Sequence, residues 1–128
     1  MKTLLDKLGY KPGVAGLLWQ VPEPIGPELS AVREGTDATF FLAFVRNRAE
    51  LANAAEEVAV KYRAGGHLWI AYPKKGGSLA SDLDRDHGWE RIAGLGLLAV
   101  TQVAVDEDWS ALRFRYRDEI KKLTREGN

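Results

Sequence analysis

With 128 residues, 45% of them hydrophobic and 28% charged, the chain has the size and composition of one globular domain, 1–128. Eighteen basic residues balance eighteen acidic ones, which removes any overall field that would steer it to nucleic acid or an anionic membrane. The absence of cysteine excludes disulfides and thiol catalysis.

The opening, MKTLLDKLGY, carries Asp6 and Lys7 where a signal peptide needs an apolar run. No window reaches the ~20 apolar residues of a membrane helix, so a cytoplasmic setting is expected. Leu4, Leu5 and Leu8 share one side of a short helix that Gly9 ends, and Lys11-Pro12-Gly13 reads as a turn. VAGLLWQV (14–21) is almost wholly apolar, as a strand buried on both faces would be. Pro22, Pro24 and Pro27 break it, and a weak helix is expected over 27–34. TFFLAFV (39–45) reads as a second buried strand. Asn47 caps the next helix, with Glu50 three residues on in a near-match to a capping box. Leu51, Ala55, Val58 and Tyr62 recur at helical spacing until Gly65-Gly66 ends the run.

HLWIAY (67–72) is a third buried strand, followed by the polar stretch KKGGSLASDLDRDHG and a helix expected from about Asp84 to Leu95. LLAVTQVAV (97–105) reads as a fourth strand. In SALRFRY (110–116), Leu112, Phe114 and Tyr116 alternate with Arg113, Arg115 and Arg117, which predicts a half-exposed strand antiparallel to its predecessor. A polar helix, RDEIKKL, follows. Apolar strands alternating with helices argue for an α/β fold, a single Rossmann-like domain. The expected sheet is mostly parallel, of about five strands, with helices on both faces and a C-terminal antiparallel hairpin.

The segments LWIAYPKK, SDL and AVDEDWSALRF, with the opening KLGYKPG, together resemble an uncharacterised bacterial family, domain of unknown function 3052. The matching positions are Trp69, Pro73, Lys74, Lys75, Asp82, Leu83, Ala104, Val105, Asp106, Trp109, Ser110 and Leu112. The resemblance implies no activity, because that family has none assigned. The layout is also similar to the later part of a class I methyltransferase fold. Such an enzyme has a glycine-rich turn after its first strand and an acidic residue on the next. This chain has WQVPEPIGPEL at that place, so S-adenosylmethionine is set aside and no cofactor is expected.

The polar stretch leaves the C-terminal end of a strand, where open α/β sheets place ligands. Lys74 and Lys75 could pair with an anion, with Ser78 and Asp82 beside them; Trp109 either folds over the end of the sheet or stands exposed as a wall to the ligand. Asp82, Asp84 and Asp86 are expected to cap the following helix. Their alternate spacing suits calcium, but His87 and Ala93 stand where that loop needs glycine and glutamate, so no metal is expected. GGSLA lacks the geometry of a serine nucleophile, and GLGLLA closes a helix where a dinucleotide fingerprint would open one. The Arg113, Arg115, Arg117 stripe, continued by Lys121, Lys122 and Arg125, is expected to face solvent on an edge strand without contacting nucleic acid. Two readings result. One is a non-catalytic domain that associates with itself or a protein partner, a use that four tryptophans suit. The other is a small-molecule binder, or an enzyme, that takes an anionic or phosphorylated ligand through the Lys74–Asp82 loop at the strand ends.

Overall fold

The pleat of each strand sends successive side chains to opposite faces of the sheet, and the two faces carry different helices. The structure, a computed structural model, describes residues 2–120. In chain order it forms α1 (Leu4–Lys7), β1 (Ala15–Trp19), a 3-10 helix (Glu23–Leu29) and β2 (Arg33–Glu34). Then come β3 (Phe40–Phe44), α2 (Arg48–Glu57), a 3-10 turn (Ala59–Lys61), β4 (His67–Pro73), α3 (Glu90–Ala93), β5 (Leu97–Ala104) and β6 (Trp109–Tyr116). One six-stranded sheet results, in the order β2-β1-β3-β4-β6-β5. The β2-β1, β1-β3 and β3-β4 pairs are parallel, and the β4-β6 and β6-β5 pairs antiparallel. The sheet is therefore mixed, larger than the expected five strands and only partly parallel. Helices lie on both faces, as expected.

Phe40, Leu42 and Phe44 of β3 point to one face, where α1 and the first 3-10 helix supply Leu4, Leu8, Ile25 and Leu29. Phe41 and Ala43 point to the other, under Leu51, Ala54 and Ala55 of α2 and Ile92 of α3. Alternation in β6 likewise sends Trp109 and Ala111 to the α1 face and Leu112 and Phe114 to the α2 face. Thr3 caps α1 in a full capping box with Asp6. Asn47 caps α2 by accepting from the Glu50 N–H at 2.8 Å. The Glu50 side chain turns instead to the Arg46 N–H, at 2.7 Å.

Several expectations are corrected. β6 is interior, flanked by β4 and β5, so its arginines are not an edge stripe. Arg113 and Arg115 are half-buried: Arg113 Nη2 donates to the Gly66 carbonyl at 3.1 Å, and Arg115 pairs with Glu119 at 3.4 Å. Arg117 is exposed and begins a helical turn over 117–120. The rest of the expected closing helix, with Lys121, Lys122 and Arg125, lies outside the described residues. The helix expected over 27–34 is replaced by the earlier 3-10 helix and the two-residue β2. β1 is only half-buried, because no helix follows β2 to cover it on the α2 side. Among the described residues no helix is long and apolar enough to cross a membrane.

Candidate functional site

β1 runs on to β2 at one side and β3 to β4 at the other, so the order reverses between the C-terminal ends of β1 and β3. Open α/β sheets place ligands at that crevice. Here the chain's own groups span it. Gln20, the only non-glycine residue with positive φ among those described, at +54°, follows β1 directly. Its Nε2 donates to the Phe44 carbonyl and to Glu50 Oε1, each at 3.2 Å.

The polar loop folds back over the neighbouring end of α2. Asp82 Oδ1 accepts from the Arg48 N–H at 2.9 Å, Arg48 Nε donates to the Asp82 carbonyl at 2.8 Å, and Ser81 Oγ donates to the Arg46 carbonyl at 2.6 Å. Asp82 thus satisfies a free N–H of the helix before it in sequence, not the one after. Asp84 caps its own turn: Oδ1 accepts from the N–H groups of Asp86 at 2.9 Å and His87 at 3.0 Å. Asp86 lies 3.6 Å from Arg85 on the surface. None of the three aspartates caps α3, which is four residues long and has Trp89 at its N-cap. The helix expected from Asp84 cannot start there because this turn closes first, in a bridge between Asp84 and His87. Gly88 then takes φ +99°, and a Cβ there would stand 2.7 Å from Leu83 Cδ1.

Beyond this turn a cavity of about 320 Å³ opens on the α2 face, over the ends of β4, β6 and β5. Its floor is a row of polar groups, one from each strand. Tyr72 and Ser110 are cross-strand partners, and Gln102 Nε2 donates to the Tyr72 hydroxyl at 3.1 Å. Ser110 is 4% exposed, the one buried polar side chain among the described residues. Burial pushes the Tyr72 hydroxyl pKa up, against the Ser110 hydroxyl, which lowers it. Trp89 anchors the wall: its ring stands edge-on to Tyr72 at 5.5 Å, and its Nε1 donates to the Asp84 carbonyl at 2.7 Å.

The rim carries Lys74, Lys75, Arg85 and His87 beside Asp84 and Asp86. Lys74 Nζ donates to the Asp106 carbonyl at 2.7 Å, whereas Lys75 has no partner among the described residues. His87 Nδ1 lies 2.9 Å from Asp84 Oδ1, and this hydrogen bond leads the causes that hold the Asp84 carboxyl below the ordinary aspartate value. With the ring proton on Nδ1, His87 Nε2 is a free acceptor; in the cation both nitrogens donate.

The residues singled out from sequence therefore separate. Lys74 and Lys75 reach the cavity. Ser78 does not line it: its N–H and hydroxyl both bind Asp108 Oδ1, at 2.8 and 2.7 Å, and this pair lowers the Asp108 pKa. Asp82 caps α2. Trp109 is no exposed wall, being 5% exposed and packed edge-on against Phe44 at 5.2 Å on the opposite face. The residues missed were Tyr72, Gln102, Ser110 and His87. The signal for Ser110 was the alternation that puts it in line with Leu112 and Phe114.

No family model matches the chain, and no curated protein does. The resemblance to the family of unknown function gains no support there. Similar solved structures include a LepI complex with SAM, at 16% identity and a TM-score of 0.48. A structure described as a pericyclic reaction enzyme stands at 14% and 0.49. Each match covers 89% of this chain and only 39% of the other. The N-methyltransferase NodS from Bradyrhizobium japonicum WM9 matches at 15% identity and a TM-score of 0.41, over 89% of this chain and 80% of that one. The expectation of no cofactor, with S-adenosylmethionine set aside, is corrected by this set: its members include complexes with SAM or S-adenosyl-L-homocysteine.

Proposed function

We propose that the chain binds a small anionic molecule in the cavity above Tyr72, Gln102 and Ser110. The observation that carries this reading is the polar floor. A serine buried on an interior strand is costly unless it is hydrogen-bonded. Here it sits in register with a tyrosine whose hydroxyl also takes a glutamine amide, and all three line one cavity. The rim supplies three cations against two carboxylates, and both carboxylates already have partners within the loop. The volume stands at the lower end of the ~300–1,000 Å³ usual for small-molecule sites. A carboxylate or phosphate group fits beside Lys75 and His87 Nε2, with its polar substituents on the floor.

Sodium acetate, inorganic phosphate and S-adenosylmethionine serve as probes, each titrated into ¹⁵N-labelled protein. S-adenosylmethionine is included because a similar structure holds it. The expected result is saturable shifts of the amides over 84–88 and of Lys75 and Ser110. Lys75→Ala and His87→Ala, both at exposed positions, should weaken the response about tenfold without loss of folding. Shifts confined to other parts of the sheet, none at all, or an undiminished response in both variants would refute the reading.

A further inference from the structure

The face of β1 that no helix covers is a second surface, independent of the anion site. A parallel sheet is normally covered on both faces. β1 is an interior strand, and the 3-10 helix covers one side of it through Ile25 and Leu29. On the other side α2 packs over β3 and β4 but leaves Leu17 of β1 half-buried. The chain returns from β2 to β3 within residues 35–39, with no helix between. A groove of about 950 Å³ remains, with Leu17, Ala38 and Phe41 in its lining. One wall is the 3-10 turn Ala59–Lys61, whose Val60 is 51% exposed, the most exposed large apolar side chain described. Across the groove, acidic Glu34 and Asp37 face basic Lys61 and Arg63.

We propose that this groove is occupied by the same turn of a second copy of the chain, in a two-fold dimer. Each copy offers both halves of the contact: an apolar turn flanked by cations on one wall of the groove, and acids on the other wall. A two-fold axis brings each turn to the other's groove, as an isologous interface requires. Val60 then covers the floor of the partner groove, and Lys61 and Arg63 meet the partner's Glu34 and Asp37. Two copies with no net charge do not repel at long range.

Charge reversal tests this contact, because all four rim residues are exposed and their substitution leaves the core intact. The mass of the full chain is measured by sedimentation equilibrium, with circular dichroism to verify folding. The wild type is expected to dimerise. Lys61→Glu with Arg63→Glu places acids against the acidic wall, and Glu34→Lys with Asp37→Lys places bases against the basic wall. Each double variant alone should associate at least about tenfold more weakly. An equimolar mixture restores attraction at both contacts and should dimerise as the wild type does. A wild type that stays monomeric, double variants that dimerise unaltered, or a mixture that stays monomeric would each overturn the proposal.

Discussion

Replacing Asp82 with alanine separates a structural carboxylate from a ligand-binding one. Its Oδ1 holds the Arg48 N–H at the first turn of α2, while Asn47 holds the Glu50 N–H. The two caps satisfy different donors, so neither substitutes for the other. Loss of a cap costs about 1 kcal/mol within a range of roughly 0.5–2. The exposure of Asp82 keeps the expected value near the middle, since water can reach the freed N–H. With an unfolding entropy of about 2.1 cal/mol/K per residue, a chain of this length loses ~4 °C in Tm for each kcal/mol. Asp82→Ala is therefore expected to melt about 4 °C lower by calorimetry, and Asp82→Asn, which keeps the acceptor and loses the charge, about 1–2 °C lower. Asn47→Ala should add to Asp82→Ala nearly in full. The anion response of the cavity should survive in both Asp82 variants. If Asp82→Ala melts within ~1 °C of the wild type, or binds no anion while folding normally, the capping role is wrong.

Two further outcomes follow from buried polar contacts. Burial pushes the Glu119 carboxyl up, but the N–H groups of Tyr116 and Gly65, the Tyr62 hydroxyl and Arg115 together bring it below the ordinary glutamate value. Its stabilisation is therefore present above the unfolded-state value and lost as pH falls through the lower folded one. Glu119→Gln should melt below the wild type at pH 7, by the equivalent of about 1.5 kcal/mol, with the gap closing on acidification in a pH series of thermal melts. Trp69 Nε1 donates to the Leu8 carbonyl at 2.8 Å in the core. Trp69→Phe leaves that carbonyl without this donor and should cost about 1–3 kcal/mol in urea unfolding, at an unchanged m value.

Local signals in the sequence give the elements but not their neighbours. Phe40–Phe44 and Leu68–Tyr72 are buried throughout, as unbroken apolar runs require. The Asn47 cap is legible because donor and acceptor lie three residues apart. Asp82 and Arg48 lie 34 residues apart, and no local pattern reveals that the loop returns to cap an earlier helix. The edge placement expected for the arginine strand fails because a terminal hairpin can join a sheet through either strand. Composition pointed the other way: β5, LLAVTQVA, is the more apolar strand and yet is mostly exposed, whereas Trp109–Leu112 of β6 is buried throughout. Trp109 and Ser110 are adjacent in sequence, so strand geometry sends them to opposite faces, and no single site could have used both.

The same geometry leaves cations, and not acids, with free hydrogen-bonding capacity at the cavity rim. Three carboxylates of this region have a task within the chain. Asp108 fastens Ser78 to the hairpin, Asp82 fastens the loop to α2, and Asp84 closes the turn that presents His87. These attachments hold the loop at three points and make it a wall. Lys75 and His87 Nε2 keep their hydrogen-bonding capacity at the rim of the cavity floored by Tyr72, Gln102 and Ser110. Disruption of the loop's acids should therefore act first on stability, and removal of its cations first on binding. That division is open to test residue by residue.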